Sequence, residues 1–142
     1  MLNDIFNILL PHVTIFGFII ILLGLGMCLN IRKYKYSRFA ALTGIVFSIF
    51  LLSTVQTEPQ CFGFNNSLMS DSYTLLFEFM ILACGFLCII LSRNIVRSIK
   101  RHAYTFHAIF LSAILGGISV VSSNDFLTLF ISMELMGFAT YF

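Results

Sequence analysis

Five apolar runs, at about 11–31, 39–56, 73–92, 103–121 and 126–142, take up most of this 142-residue chain. Each is close to the ~20 residues that cross a hydrocarbon core at ~1.5 Å of rise per residue. Each is apolar around most of its circumference, which excludes a soluble bundle whose helices keep one polar face. Backbone N–H and C=O groups cannot stay unpaired in hydrocarbon, so the runs are read as helices. Charged residues make up only 10% of the chain and mean hydropathy is +1.00, against about 25% charged residues in a soluble domain. So few charges cannot coat a water-soluble globule. The expected fold is an all-α polytopic membrane protein, one membrane domain over 1–142 with about five transmembrane helices.

The basic residues set a direction. Arg32, Lys33, Lys35 and Arg38 lie between the first two runs, and Arg93, Arg97, Lys100 and Arg101 between the third and fourth. The loop TEPQCFGFNNSLMSD has no Lys or Arg and carries Glu58 and Asp71; the turn VSSND carries Asp125. With five spans, both basic loops fall on one side, and Lys/Arg-rich loops stay on the cytoplasmic or matrix side. The N-terminus is therefore expected outside and the C-terminus inside. No Lys or Arg precedes the first run, so it reads as an uncleaved span rather than a signal peptide. RKYKYSR has the composition of a nucleic-acid patch, but a loop pinned between two spans reads as a topology determinant near anionic lipid; no nucleic-acid partner is expected.

Two acids remain inside the apolar runs, Glu134 and Glu78. A charged side chain at the centre of a span costs about 2.5–3.5 kcal/mol. Low dielectric disfavours the charged form, which makes Glu134 a candidate proton carrier. One turn away stand Phe130, Ile131, Gly137 and Phe138, none of which pairs with a carboxylate, and Gly137 leaves room for another backbone or a water. Any compensating cation is expected from another polypeptide. Glu78 is expected about a turn shallower, able to communicate with Glu134 if their helices touch; snorkelling or a hydrogen bond to a neighbouring helix is the plainer alternative. His107 is a candidate for a proton path at the inner end of the fourth run, against a plain interfacial role.

No cofactor is expected. His12 lies near one end of the membrane and His102 and His107 near the other, so no pair on facing helices could ligate a haem. Walker A, G-x-G-x-x-G, nucleophile-elbow and H-E-x-x-H patterns are absent. LLGLGM at 22–27, Gly116 and Gly117 read as close-packing positions on membrane helices. Cys28, Cys84 and Cys88 lie in apolar runs and Cys61 in a polar loop; without two ligand pairs they read as small packing residues rather than a zinc site.

The stretch GGISVVSSNDFLTLFISMELMGFATYF, residues 116–142, resembles the antiporter-like subunit called NADH dehydrogenase subunit 2, or subunit N, of respiratory complex I. FNNSLMSDSYTLLF, with Asp71 ahead of the third helix, and the opening LNDIFNILLPHVTIFGFIII resemble it more loosely. The resemblance implies the N-terminal portion of a larger subunit. It implies that Glu134, followed by Leu135, matches a proton-path glutamate on the fifth helix that faces a lysine on a later, broken helix. The acid usual at the start of the family's fourth helix falls near Thr105 here. The resemblance also implies a proton-translocating, non-redox part of NADH:ubiquinone oxidoreductase, with no catalytic centre of its own. Its expected partners are neighbouring antiporter-like and small membrane-arm subunits, together with lipid. A split subunit is expected, with a separate chain carrying the remaining helices. The mitochondrial inner membrane is the expected location, since seventeen Phe and no Trp suit a biased organelle genome; a bacterial plasma membrane is the alternative. Other classes are a structural or assembly membrane subunit, or a subunit of a related Na⁺/H⁺ antiporter or membrane-bound hydrogenase.

Overall fold

The computed structural model describes residues 2–28, 34–54, 61–63, 67–99 and 102–141. Arg32, Lys33, Glu58, Lys100 and Arg101 lie outside the described residues. The elements are α1 (Leu2–Cys28), α2 (Tyr34–Thr54), β1 (Cys61–Gly63), β2 (Leu68–Ser70), α3 (Ser72–Leu91), α4 (Arg93–Ser98), α5 (Ala103–Val121) and α6 (Phe126–Tyr141). The fold is all-α and membrane-spanning in character, as the apolar runs imply. α1, α2, α3 and α5 are each long and apolar enough to cross a bilayer. α6 has 16 residues, about 24 Å at 1.5 Å per residue. It is the short one of the five.

Three features differ from the sequence expectation. α1 begins nine residues ahead of its apolar run and continues through Pro11. Proline removes one backbone donor from a helix interior. Here the Pro11 carbonyl accepts from Thr14 Oγ1 at 2.9 Å and from Ser48 Oγ of α2 at 3.3 Å, which ties α1 to α2 at that point. The second difference is the antiparallel hairpin β1–β2, which pairs Cys61 with Ser70 and Gly63 with Leu68. The third is α4, a short helix inside the second basic segment. Its Arg93 and Arg97 stand one turn apart and are exposed, while Val96 is buried. The bundle thus has two distinct ends: a hairpin end, and a basic end that carries Arg38, Arg93 and Arg97.

α5 is the axis of the bundle. It packs against α1, α2, α3 and α6, and α2 also packs against α1 and α3. Each packed helix presents one stripe inward at helical spacing: Ile15, Ile19 and Leu22 from α1, Ala41, Ile45, Ser48 and Leu52 from α2, Leu82 and Ile89 from α3. α5 contributes Leu111, Ile114 and Ile118. In lipid the tails are as apolar as leucine, so area burial does not drive helices together. Close packing and interhelical hydrogen bonds do. The contacts show both. Gly85 of α3 sits against Ile114, and a Cβ there would come 2.5 Å from Ile114 Cδ1. A Cβ on Gly116 of α5 would come 2.7 Å from the backbone nitrogen of Met136, so α5 and α6 touch backbone to side of backbone. Of the LLGLGM glycines, Gly26 meets the Cβ of Tyr104, but Gly24 has open space in front of it. Only one of the pair serves packing among the described residues.

Candidate functional site

α6 is aimed by the turn that precedes it. Met69 N–H donates to the Ser122 carbonyl and Asn124 N–H to the Ser67 carbonyl, each at 2.9 Å, and Leu68 bridges Ser123. The hairpin edge therefore grips the SSND turn, and the first helical bond follows from Leu129 N–H to the Asp125 carbonyl. Further along, Ser132 is buried and Met136 meets Gly116, so these two positions mark the side of α6 that faces α5. At 3.6 residues per turn, a residue two positions from each stands roughly opposite that side. That residue is Glu134. It is exposed, with Phe130, Ile131 and Phe138 exposed around it. Among the described residues no hydrogen bond or ion pair reaches its carboxylate. Among the described residues, nothing lies within 4 Å of where a Cβ on the neighbouring Gly137 would stand.

Glu78 faces the other way. It belongs to the inward stripe Thr74, Glu78, Leu82, Gly85 and Ile89 of α3 and is 4% exposed. It does not snorkel. Gly117 of α5 lies against Ile81 and Gly85 against Ile114, so α3 and α5 run antiparallel and Glu78 lies level with the last turn of α5. Glu78 points into the bundle and Glu134 out of it, on a helix whose packing is against α5. The structure does not bring the two acids together.

His107 is fully buried, so the interfacial alternative does not describe it. Its Nδ1 lies 2.7 Å from the Ala103 carbonyl, which can only accept, so Nδ1 carries the proton. Ser37 Oγ of α2 stands 3.3 Å from the same nitrogen. Nε2 is buried with no hydrogen-bond partner among the described residues. His12, 9% exposed, reaches across from α1 and its Nε2 stands 3.2 Å from Ser122 Oγ. The Ser122 hydroxyl donates to the Ile118 carbonyl at 3.0 Å, which leaves its oxygen to accept from His12. The fifteen residues from 107 to 122 make about 22 Å of axial rise. The two histidines therefore sit at opposite ends of the bundle, as expected from sequence.

No protein-family model matches the chain. Over 133 residues it is 27% identical to the curated protein named NAD(P)H-quinone oxidoreductase subunit 2, chloroplastic, of Chlorokybus atmophyticus. The match covers 94% of this chain and 26% of that relative. A total of 166 curated proteins match significantly, so the likeness does not rest on one pair. The chain is a distant relative of the subunit 2 family. It spans about a quarter of the length of the relative named here.

The segment that carries the resemblance is tied to the rest of the fold at several points. Gly116 sits at the α5–α6 contact, Ser122 bonds His12, and the SSND turn is gripped by the hairpin. Asp71 has a local role beside its family likeness. Its Oδ1 accepts from the Thr74 N–H at 2.8 Å and from the Thr74 hydroxyl at 2.7 Å, so it caps α3. Those two bonds, the backbone one first, hold its carboxyl below the usual carboxylate range. The D-S-Y-T spacing was a legible cap signal. The His12–Ser122 and Ser37–His107 pairs had no such signal, because their members are 110 and 70 residues apart. Cys84 and Cys88 are both exposed on α3; the Cys28 and Cys61 side chains lie outside the described part.

Proposed function

We propose that this chain forms part of the membrane arm of a proton-translocating NADH:quinone oxidoreductase, as a piece of a subunit 2-type, antiporter-like subunit. Glu134 is its proton-path carboxylate. The observation that carries this reading is the aim of that side chain: mid-helix, opposite the α5 contact and without a partner among the described residues. A carboxyl so placed is costly against lipid tails. It is far better accommodated against a cation or water supplied by polypeptide beyond these residues, on the split-subunit reading by a separate chain. Glu78 at the hairpin end and His107 at the basic end are the inward candidates for proton relay. Each is buried and each has room in its hydrogen bonding. The proposed location is the mitochondrial inner membrane, supported by the phenylalanine-rich composition. The N-terminus is proposed outside and the basic end at the matrix face, supported by the charge rule.

Replacing Glu134 with Gln keeps its size and hydrogen bonding but removes the titrating proton. In the intact complex the variant is expected to assemble, pass electrons and lose coupled proton transport. Unchanged pumping sinks the proton role, and failed assembly points to a scaffold instead. For the split, mass spectrometry of the complex should find the remaining helices on a second chain; one continuous longer chain removes that part of the proposal.

A further inference from the structure

A groove of about 510 Å³ runs between α5 and α6 at the basic end, and the reading above makes no use of it. Phe106, Ile109, Phe110, Ala113 and Ala139 form its apolar walls. His102, Thr105 and Thr140 add polar groups to the lining. The groove starts about one turn from the Gly116–Met136 contact, where the two backbones touch, so it is a wedge that opens sideways as the helices part. A wedge of this volume with apolar walls has room for a hydrocarbon chain.

The charge at this end says what kind of chain. In sequence, all eight Lys and Arg fall in two segments, 32–38 and 93–101, and of these Arg38, Arg93 and Arg97 stand at this end among the described residues. Arg93 and Arg97 are exposed, and no ion pair joins them to a described residue. Arg97 stands two residues before Ile99, which lines the groove. α5 also begins here. Its N-cap is His102, whose side chain makes no capping bond, so the positive end of a 19-residue helix is not served by its own cap. Basic pockets between membrane helices on the Lys/Arg-rich side hold acidic head groups.

We propose that this groove binds an anionic glycerophospholipid. One acyl chain lies along α5 between Phe106 and Ala113, against Ala139 of α6. The phosphate sits at the mouth beside His102 and the start of α5, in the field of Arg97. The small side chains at 113 and 139 make the space, and the cations set the preference over a zwitterionic lipid. This site stands apart from Glu134, which points away from the α5–α6 contact.

The test uses the intact protein in nanodiscs of phosphatidylcholine. A minority of the lipid is either phosphatidylglycerol or phosphatidylcholine with a photoactivatable group in its acyl chain. Phosphatidylglycerol should label residues 109–113 and 139–140 several-fold more strongly than phosphatidylcholine. Arg97→Gln should cut that preference about fivefold, the effect of one cation near an acidic surface, while the helix content stays the same. Ala113→Phe should remove labelling by both lipids. Thermal unfolding of that variant checks that it folds, and Ala139→Leu gives an independent second block of the groove. Equal labelling by the two lipids overturns the proposal. So does labelling that persists when the groove is filled, or cross-linking of 109–113 to another stretch of polypeptide.

Discussion

α3 and α6 are both apolar helices that carry one glutamate, and they present it in opposite directions. Glu78 is 4% exposed and shares a stripe with Leu82 and Ile89, packed toward α2 and α5. Glu134 stands opposite the side of α6 that packs on α5, among exposed Phe130, Ile131 and Phe138. The residue type and the apolar setting are alike; only the helical phase differs. An acid turned inward is a matter for this chain's own folding. An acid turned outward is a matter for whatever the chain adjoins, because a membrane carboxyl facing neither water nor a partner is strongly disfavoured.

That contrast can be broken at several points. The largest effect is expected at Glu134. E134Q should slow proton movement through this part of the complex by about tenfold or more, yet leave the thermal stability of the chain itself unchanged. A drop in stability would mean that Glu134 is packed within the chain after all. Next comes the seam that fixes the phase of α6. Gly116→Ala places a Cβ 2.7 Å from the Met136 backbone nitrogen, where no flexible side chain can yield. It should cost roughly 1–3 kcal/mol in detergent unfolding. Gly137→Ala, which meets nothing within 4 Å, should cost much less and serves as its control.

Glu78 should respond in the opposite sense to a packing residue. Glu78→Leu replaces a buried carboxyl with an apolar side chain, and is expected to raise unfolding stability by roughly 1 kcal/mol. A loss instead would show that Glu78 makes an interaction the fold depends on. Ser122→Ala removes the acceptor for His12 at 3.2 Å. Interhelical hydrogen bonds in membrane proteins average about 0.6 kcal/mol, so a loss of that order is expected, read from the same unfolding experiment. The smallest effect concerns the start of α3. The Thr74 bonds hold the Asp71 carboxyl below its usual range. Its folded pKa is thus depressed, and the capping contribution is fully present above the ordinary carboxylate value of ~3.9. It is lost as pH falls through the lowered value. The protection of the Thr74 amide, its exchange rate relative to the intrinsic rate at each pH, should therefore hold down to about pH 4 and fall below it. Exchange that is already fast near neutral pH would deny Asp71 the cap.

The spans were legible because a bilayer leaves few choices. An apolar run of span length has to satisfy its backbone internally, so 103–121 reads as a helix from the sequence and forms one over the same residues. The midpoint acid of α6 was legible for the same reason: Glu134 is the one charged residue within its run. The hairpin was not legible. β1 and β2 are three residues each, and what they pair with, beyond one another, is a turn more than fifty residues away. α4 was hidden inside a segment whose charges read only as a topology signal. His107 looked interfacial because it follows a basic loop; it is buried because α1 and α2 close over the first turns of α5.

By itself, the sequence determined the solvent, the number of long apolar helices, and the segregation along the chain of eight cations from six acids. Those are one-dimensional properties, fixed by run length and by the cost of charge in hydrocarbon. Tertiary structure alone decided which way each polar side chain faces. In helices that are apolar all round, no polar stripe announces the inner face, and the phase is set by contact: Gly116 on Met136, Gly85 on Ile114, the hairpin on the SSND turn. Those contacts send Glu78 inward and Glu134 outward, and they open the groove at the basic end.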